Sequence, residues 1–452
     1  MALYQCLIDI TCPTSSGTTG PYTCTDIATG QTFQPKALIA FGAAGTATGQ
    51  TAGASMMLGF WAAASGTAQM TLNGFGGRNN DKAATEDDSQ WQANGYFIDQ
   101  IAITGSGTGA GAFCQVTSVG STSFSLNWGG AGAGTAFKIT VLALGGSDLT
   151  GAEIVTFQMP ASNGSQTVTT TLGTPNTIFF LGSNYTSAGV NGPTASGFTN
   201  IFGWAIGSSL ACGCATFGMN GVAGTIYGLL CGDALNYPDY AAPTGSNSGV
   251  ANLSSVANNQ FVMGWTNTDA ENASGSQIRF LTSALVLYGT FQAATFANAS
   301  PTSTGTQTNS LAFTPECAIV QSVGLVNGSA FAATSSYSIG AYDGSNNRAH
   351  NVAIVPGTST LFSTEYSTYE TGEALEIYTA TTGGSTSDLT HQVEASLAIS
   401  GGVNAVFTTV NASVQYEYIG IALGSAPAAP AIPARCNVIM ARKVEGWDVQ
   451  TF

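Results

Sequence analysis

Residues able to act as acids, bases or metal ligands are few, and their spacing does not build a reaction centre. The chain has two histidines, His350 and His391. A Ser-His-Asp triad needs one of them oriented by a carboxylate. No G-x-S-x-G elbow accompanies either. Carboxylates gather in two places. Asp81, Glu86, Asp87 and Asp88 lie in NNDKAATEDDSQ, which reads as a solvated loop, with calcium binding as the alternative. Glu365, Glu370, Glu373 and Glu376 flank Tyr366, Tyr369 and Tyr378. Paired carboxylates cleave glycosides, and acids beside aromatics suit a sugar, but a strand face with its turn is the simpler reading. The nine cysteines are Cys6, Cys12, Cys24, Cys114, Cys212, Cys214, Cys231, Cys317 and Cys436. A structural zinc site wants four ligands at defined spacing, and the chain has no C-x-x-C pair. Most cysteines read as small buried hydrophobes. Cys6, Cys12 and Cys24 are the candidates for disulfides. The runs GSGTGAGA (105–112) and GGAGAGTA (129–136) lack the spacing of a phosphate-binding loop and read as hairpin loops. The expectation is no catalytic residue, no cofactor, no metal and no enzymatic activity.

The elements around these residues read as strands. The chain has 452 residues, enough for about three domains of ordinary size. Hydrophobic residues make up 44% and charged residues only 7%, against roughly 25% charged in a typical soluble domain. The 23 Phe, 15 Tyr and 6 Trp require burial and argue against disorder. So sparse a charge implies a surface of hydroxyls and amides, or one covered by neighbouring subunits. A formal charge of −15 opposes phosphate binding, so nucleic acid is not an expected partner. No basic and apolar leader opens the chain, and no apolar run reaches the ~18 residues of a spanning helix. The expectation is a protein made in the cytoplasm without a signal peptide and not bound to membrane.

An internal repeat organises the chain. TFQPKALIAFG (32–42), LGTPNTIFFLG (172–182) and AFTPECAIVQS (312–322) each place a turn and a proline before an apolar strand. Pro35, Pro175 and Pro315 stand at intervals of 140 residues. Downstream come MMLGFW, NIFGWA and YSIGAY, with Gly59, Gly203 and Gly340 inside the strand. A glycine there marks a bulge or a close backbone approach. Each copy closes on an apolar strand ending at Gly145, Gly289 or Gly424. Alternation is strand-like: Phe137, Ile139, Val141 and Ala143 against Lys138, Thr140 and Leu142. Short strands separated by Gly, Ser and Asn turns predict an all-β chain of three tandem related antiparallel β-sandwich or jelly-roll-like domains. They are expected at 1–148, 149–289 and 290–424. Residues 425–452 form an extended arm, with Pro427, Pro430 and Pro433 favouring polyproline II and Trp447 and Phe452 near the end. Such an arm can pair with a neighbour's sheet edge; the alternative is a tail that folds back on its own domain.

The phrases FQPKALIAFG (33–42), FSLNWGGA (124–131) and FKITVLALGGSDL (137–149) resemble a family of phage and prophage virion proteins. That family joins an F-x-P-K-A strand, a Gly-Phe strand, an F-x-L-N-W hairpin and a closing L-A-L-G-G strand. The resemblance covers most of the first copy, is loose in the second and weak in the third. It implies a structural component of a tailed-phage particle, partnered by itself and other virion proteins, on the head, neck or tail. The alternative is a receptor-binding adhesin or tail-fibre protein that reads a host surface glycan.

Overall fold

The structure is a computed structural model. It describes residues 2–426 except 44–48, 53, 64–68, 78–89, 105–106, 131–136, 183–197, 208–209, 219–225, 239–246, 269–278, 326–331, 335, 356–363 and 381–388. Among the described residues every regular element is a strand. The chain is therefore all-β and antiparallel, as its alternation predicts.

The first unit supplies β1 (Leu3–Thr11), β2 (Gly17–Thr23), β3 (Pro35–Ala43), β4 (Gly49–Ala52), β5 (Ala54–Ala62), β6 (Gln69–Gly77), β7 (Gln90–Asn94), β8 (Ile98–Thr104), β9 (Gly107–Val119), β10 (Ser123–Gly129) and β11 (Lys138–Gly146). The second supplies β12 (Leu149–Gln158), β13 (Gly164–Thr169), β14 (Thr177–Gly182), β15 (Phe198–Ile206), β16 (Leu210–Gly218), β17 (Ile226–Cys231), β18 (Leu235–Pro238), β19 (Asn247–Ala257), β20 (Gln260–Thr268) and β21 (Leu281–Gly289). The third supplies β22 (Gln292–Ala299), β23 (Gly305–Ser310), β24 (Cys317–Ser322), β25 (Ala332–Thr334), β26 (Ser336–Tyr342), β27 (Asn347–Val355), β28 (Thr364–Thr371), β29 (Leu375–Ala380), β30 (Leu389–Ile399), β31 (Gly402–Thr409) and β32 (Glu417–Gly424).

Each unit is a sandwich of a large and a four-stranded sheet with one shared order. The large sheets run β1-β11-β3-β5-β6-β7, β12-β21-β14-β15-β16-β17 and β22-β32-β24-β26-β27-β28. The small sheets run β2-β10-β9-β8, β13-β20-β19-β18 and β23-β31-β30-β29. Four consecutive core strands form a meander in the large sheet, so the order departs from the two Greek keys of a jelly roll. The expected loop GSGTGAGA falls largely inside β9, because small residues weaken a strand without forbidding extended backbone.

The repeat registers coincide in three dimensions. Pro35 opens β3, while Pro175 and Pro315 stand just before β14 and β24. Ala37, Thr177 and Cys317 pair with Leu144, Leu287 and Leu423 of the closing strands. A Cβ on Gly59 would overlap the carbonyl oxygen of Phe97, and one on Gly340 that of Ala374. Both carbonyls belong to the segment entering the small sheet, so these glycines admit a close crossing of backbone.

The three large sheets face one another. Strand period 2 sends alternate side chains to opposite faces. In β11, Ile139, Val141 and Ala143 enter the first unit's own core, while Leu142 and Leu144 enter a central core. In β14, Ile178 and Phe180 stay inside the second unit; Phe179 and Leu181 go to the centre. In β32, Tyr418 and Ala422 stay inside the third; Ile419, Ile421 and Leu423 go to the centre. Both faces being buried explains why these strands read as unbroken apolar runs. Phe60 meets Phe202 at 6.3 Å between ring centroids, joining units one and two. Each buried side chain of this size contributes about 1.5–3 kcal/mol, so an isolated unit would expose a costly face.

The units close a ring. Strand β6 of unit one packs on β15 of unit two, β17 of unit two on β32 of unit three, and β27 of unit three on β3 and β5 of unit one. Two short strands reinforce it. β4 of unit one extends the large sheet of unit three, pairing with β28. β25 of unit three extends that of unit two, pairing with β17. Both arise from the same link in their units, so the exchange follows the cyclic order of a threefold assembly.

Candidate functional site

His350 sits on β27, fully buried, where its large sheet meets unit one. Its Nε2 lies 2.9 Å from Thr140 Oγ1, and that hydroxyl donates to Asp9 Oδ1 at 3.0 Å. With the hydroxyl proton on Asp9, Nε2–H donates to Thr140, leaving Nδ1 a bare acceptor; Nδ1 is the atom with no partner. The order is carboxylate, hydroxyl, imidazole, whereas a triad needs the imidazole in the middle. Burial drives the His350 pKa down to about 3, helped by the Arg348 and Lys138 charges. This neutral ring packs against Phe41 and Tyr369 and is a structural group. His391 lies on β30.

Part of the Glu/Tyr cluster is also internal; the Glu365 and Tyr366 side chains lie outside the described residues, and Glu370 and Glu373 are half-buried. Glu376 is fully buried between the two sheets of unit three. Burial, then the charges of Glu370, Glu394 and Glu373, raise its pKa to about 8, although Thr368 Oγ1 donates to Oε2 at 2.7 Å. Glu373 rises to about 7 for the same reasons, burial first. Asn351 Nδ2 donates to Ser336 Oγ at 2.7 Å and to the Glu376 carbonyl at 3.0 Å, and Glu376 N donates to Ser338 Oγ at 3.1 Å. This is a buried, hydrogen-bonded plug whose carboxyl is pushed towards its neutral form, and it is closed to substrate. Tyr378 is buried with it, while Tyr369 faces the seam to unit one, so the two do not share a sugar-binding face. Asp81, Glu86, Asp87 and Asp88, and the arm residues Pro427, Pro430, Pro433, Trp447 and Phe452, lie outside the described residues.

Cys6, Cys12 and Cys24 are buried free thiols here, not disulfide-bonded. Burial raises the Cys12 thiol to about 11. Among the described residues no group of three or more His, Cys, Asp or Glu side chains is arranged to hold a metal.

What the geometry does build is an assembly seam. Between units one and three, Arg348 Nε pairs with Asp9 Oδ2 at 2.5 Å. Lys138 Nζ stands 4.8 Å over the Tyr369 ring. Gln5 Nε2 donates to the carbonyls of Asp343 at 2.8 Å and Glu316 at 3.1 Å, and Leu7 N donates to Asp343 Oδ2 at 3.0 Å.

Above this seam the chain's unit junctions converge. Asp148 N donates to Ala2 O at 3.0 Å, Thr290 N to Asp148 O at 2.9 Å, and Ala426 N to Asp148 Oδ2 at 2.8 Å. Leu3 N donates to Ser425 Oγ at 2.9 Å. The residue after each repeat proline clasps the chain leaving its own unit. Lys36 Nζ donates to Gly146 O and Leu149 O at 2.9 and 2.6 Å. Asn176 Nδ2 donates to Gly289 O and Phe291 O at 3.1 and 3.0 Å. Glu316 Oε1 accepts from Ser425 Oγ at 2.6 Å. The 140-residue interval extends to these three positions, which is the signal that would have found them.

No family model and no curated protein matches this chain. Its residues and their geometry therefore carry the functional reading.

An open cleft of about 380 Å³ lies near the junction pole, lined by Tyr4, Phe33, Gln34, Lys36, Ser121 and Ser147 among others. Burial lowers the Lys36 pKa, and its ammonium is already committed to the two junction carbonyls.

Proposed function

We propose that this chain is a non-enzymatic structural component of a tailed-phage virion, assembling with other virion proteins and itself on the head, neck or tail. One observation carries the reading: the outer apolar faces of its three large sheets, with Asp9, Lys138, Arg348 and His350, are spent on closing three sandwiches into one ring. Among the described residues, the Asp9–Thr140–His350 grouping is buried and in the wrong order for hydrolysis. A body of this kind supplies shape and contact surface, which is what a particle component needs. The motif resemblance of the first unit supports the same context. Peptide mapping of purified particles from the phage that encodes this chain should find it as an abundant component. Its absence from particles, with presence in the lysate, would remove the proposal.

A second reading is favoured by the cleft beside Tyr4. An aromatic ring, an amide and hydroxyls around a few hundred Å³ suit a sugar residue, as an adhesin or tail-fibre protein that recognises host surface glycan would require. A glycan array with the full chain, repeated with Tyr4→Ala, tests it. Binding lost in the variant supports the adhesin, and an array without signal removes it.

A further inference from the structure

We propose that Cys6 and Cys24 form an intramolecular disulfide that fastens the first strand of the chain to the loop following β2, with Cys12 left as a thiol. The two segments run side by side in three contacts independent of the cysteines. Gln5 N donates to Asp26 Oδ1 at 3.3 Å. Tyr4 Oη donates to Gln31 Oε1 at 2.7 Å. The Tyr4 and Phe33 rings are 5.8 Å apart. Cys6 and Cys24 both enter the core of unit one, and their thiols interact with each other. Cys12 is excluded by strand geometry. It follows β1, whose rise of ~3.3 Å per residue puts it about 20 Å from Cys6, and its Sγ donates to Pro13 O at 3.5 Å. Sequence proximity alone does not separate these three; the strand does.

The chemistry is a two-electron oxidation. Each thiol gives up its proton, the S–S bond forms, and the two electrons reduce a low-molecular-weight disulfide such as oxidised glutathione to two thiols. The neighbouring Cys6 thiol and burial hold the Cys24 thiol above its ordinary pKa, so thiolate is scarce in the folded chain. Oxidation therefore occurs while the chain folds or opens. The linked segment bears on the ring, because Gln5 and Leu7 of the same strand hold Asp343 of unit three.

The test is to unfold the full chain, refold it in a mixture of reduced and oxidised glutathione, alkylate free thiols and map the peptides. The expected result is one cross-linked peptide pair joining Cys6 to Cys24, alkylated Cys12, and a melting temperature above that of the reduced chain. Cys24→Ser should lose both the link and the melting shift, and Cys12→Ser should keep both. A folded chain with Cys6 and Cys24 alkylated or carrying glutathione, or with Cys12 in the link, overturns the proposal. If Cys24→Ser does not fold, the wild-type peptide map decides alone.

Discussion

Among the described residues, the seam between units three and one differs in kind from the other two. At the level of Thr140 in β11, the registers place Ser283 in β21 and Ile419 in β32. At the level of His350 they place Leu72 and Cys214, and at that of Arg348 they place Met70 and Cys212. Among the described residues, the ion pair, the imidazole and the cation over a ring thus belong to one seam of the three. The units flanking the other seams are consecutive in the chain, so covalent linkage keeps each pair at high effective concentration. Units one and three are the ends of the chain and must find each other. Directional polar contacts there select one register, while the central core supplies the bulk of the free energy.

The largest expected effect is on that shared core. Phe202 of unit two stacks on Phe179 at 6.1 Å and reaches Phe60 of unit one. Phe202→Ala should destabilise the chain by about 3–5 kcal/mol, the range for an emptied aromatic site. Urea unfolding measures it. A loss below about 1 kcal/mol would mean the central core is not a packed interior.

A smaller effect is expected at the polar seam. The Arg348 and Asp9 side chains retain 18% and 24% exposure, between the surface and buried limits for ion pairs. Arg348→Ala should cost about 1–2 kcal/mol. A double-mutant cycle with Asp9→Asn should return coupling of about 1 kcal/mol. Coupling near zero would assign this seam's specificity to Gln5 and Asp343 instead.

These contacts also show what the sequence could and could not tell. The alternation of Phe137, Ile139, Val141 and Ala143 correctly assigns them to one face, the interior of unit one. It cannot say what covers Lys138, Thr140 and Leu142, because period 2 identifies a face and not its partner. The scarcity of charge left two readings open, a surface of hydroxyls and amides or one covered by neighbouring subunits; in the structure the chain's own other units cover the outer faces of the large sheets. The repeat prolines were visible by spacing, and the same interval reaches the clasps beside them, but their residue types gave no hint of a shared role. Lys36, Asn176 and Glu316 share a position and not a chemistry, so no motif marks them. Glu376 was legible as an acid among tyrosines, while its enclosure depends on Asn351 and Ser338 from strands far along the chain.

Titration should separate the seam from the interior of unit three. Glu376 has a folded pKa of about 8 against an ordinary 4.5. Its stabilising contribution is complete below pH 4.5 and is lost as pH rises through 8. His350 runs the other way, at about 3 against 6.5. Its contribution is complete above pH 6.5 and is lost as pH falls towards 3. The melting temperature should therefore decline on both sides of a mildly acidic optimum. Glu376→Gln should flatten the alkaline decline, with Glu373 left to supply the remainder, and His350→Gln should flatten the acid decline. An unchanged alkaline limb in Glu376→Gln would show that its carboxyl is ionised in the folded chain.

The smallest effect is expected from moving the chain break. Leu3 N is bonded to Ser425 Oγ, and Asp148 touches both Ala2 and Ala426, so residues 2 and 426 already lie side by side. Adjacent ends tolerate circular permutation. Residues 149–426 joined through a short Gly-Ser linker to residues 2–148 should fold to the same ring as residues 2–426. The break then falls between units one and two, a seam without the Asp9–Arg348 pair, and the pair gains covalent support it did not have. Arg348→Ala should accordingly cost less in the permutant than in the parent, because the linker now holds units one and three together. Equal costs in the two backgrounds would mean that the polar contacts serve stability alone and do nothing to bring the chain's ends together.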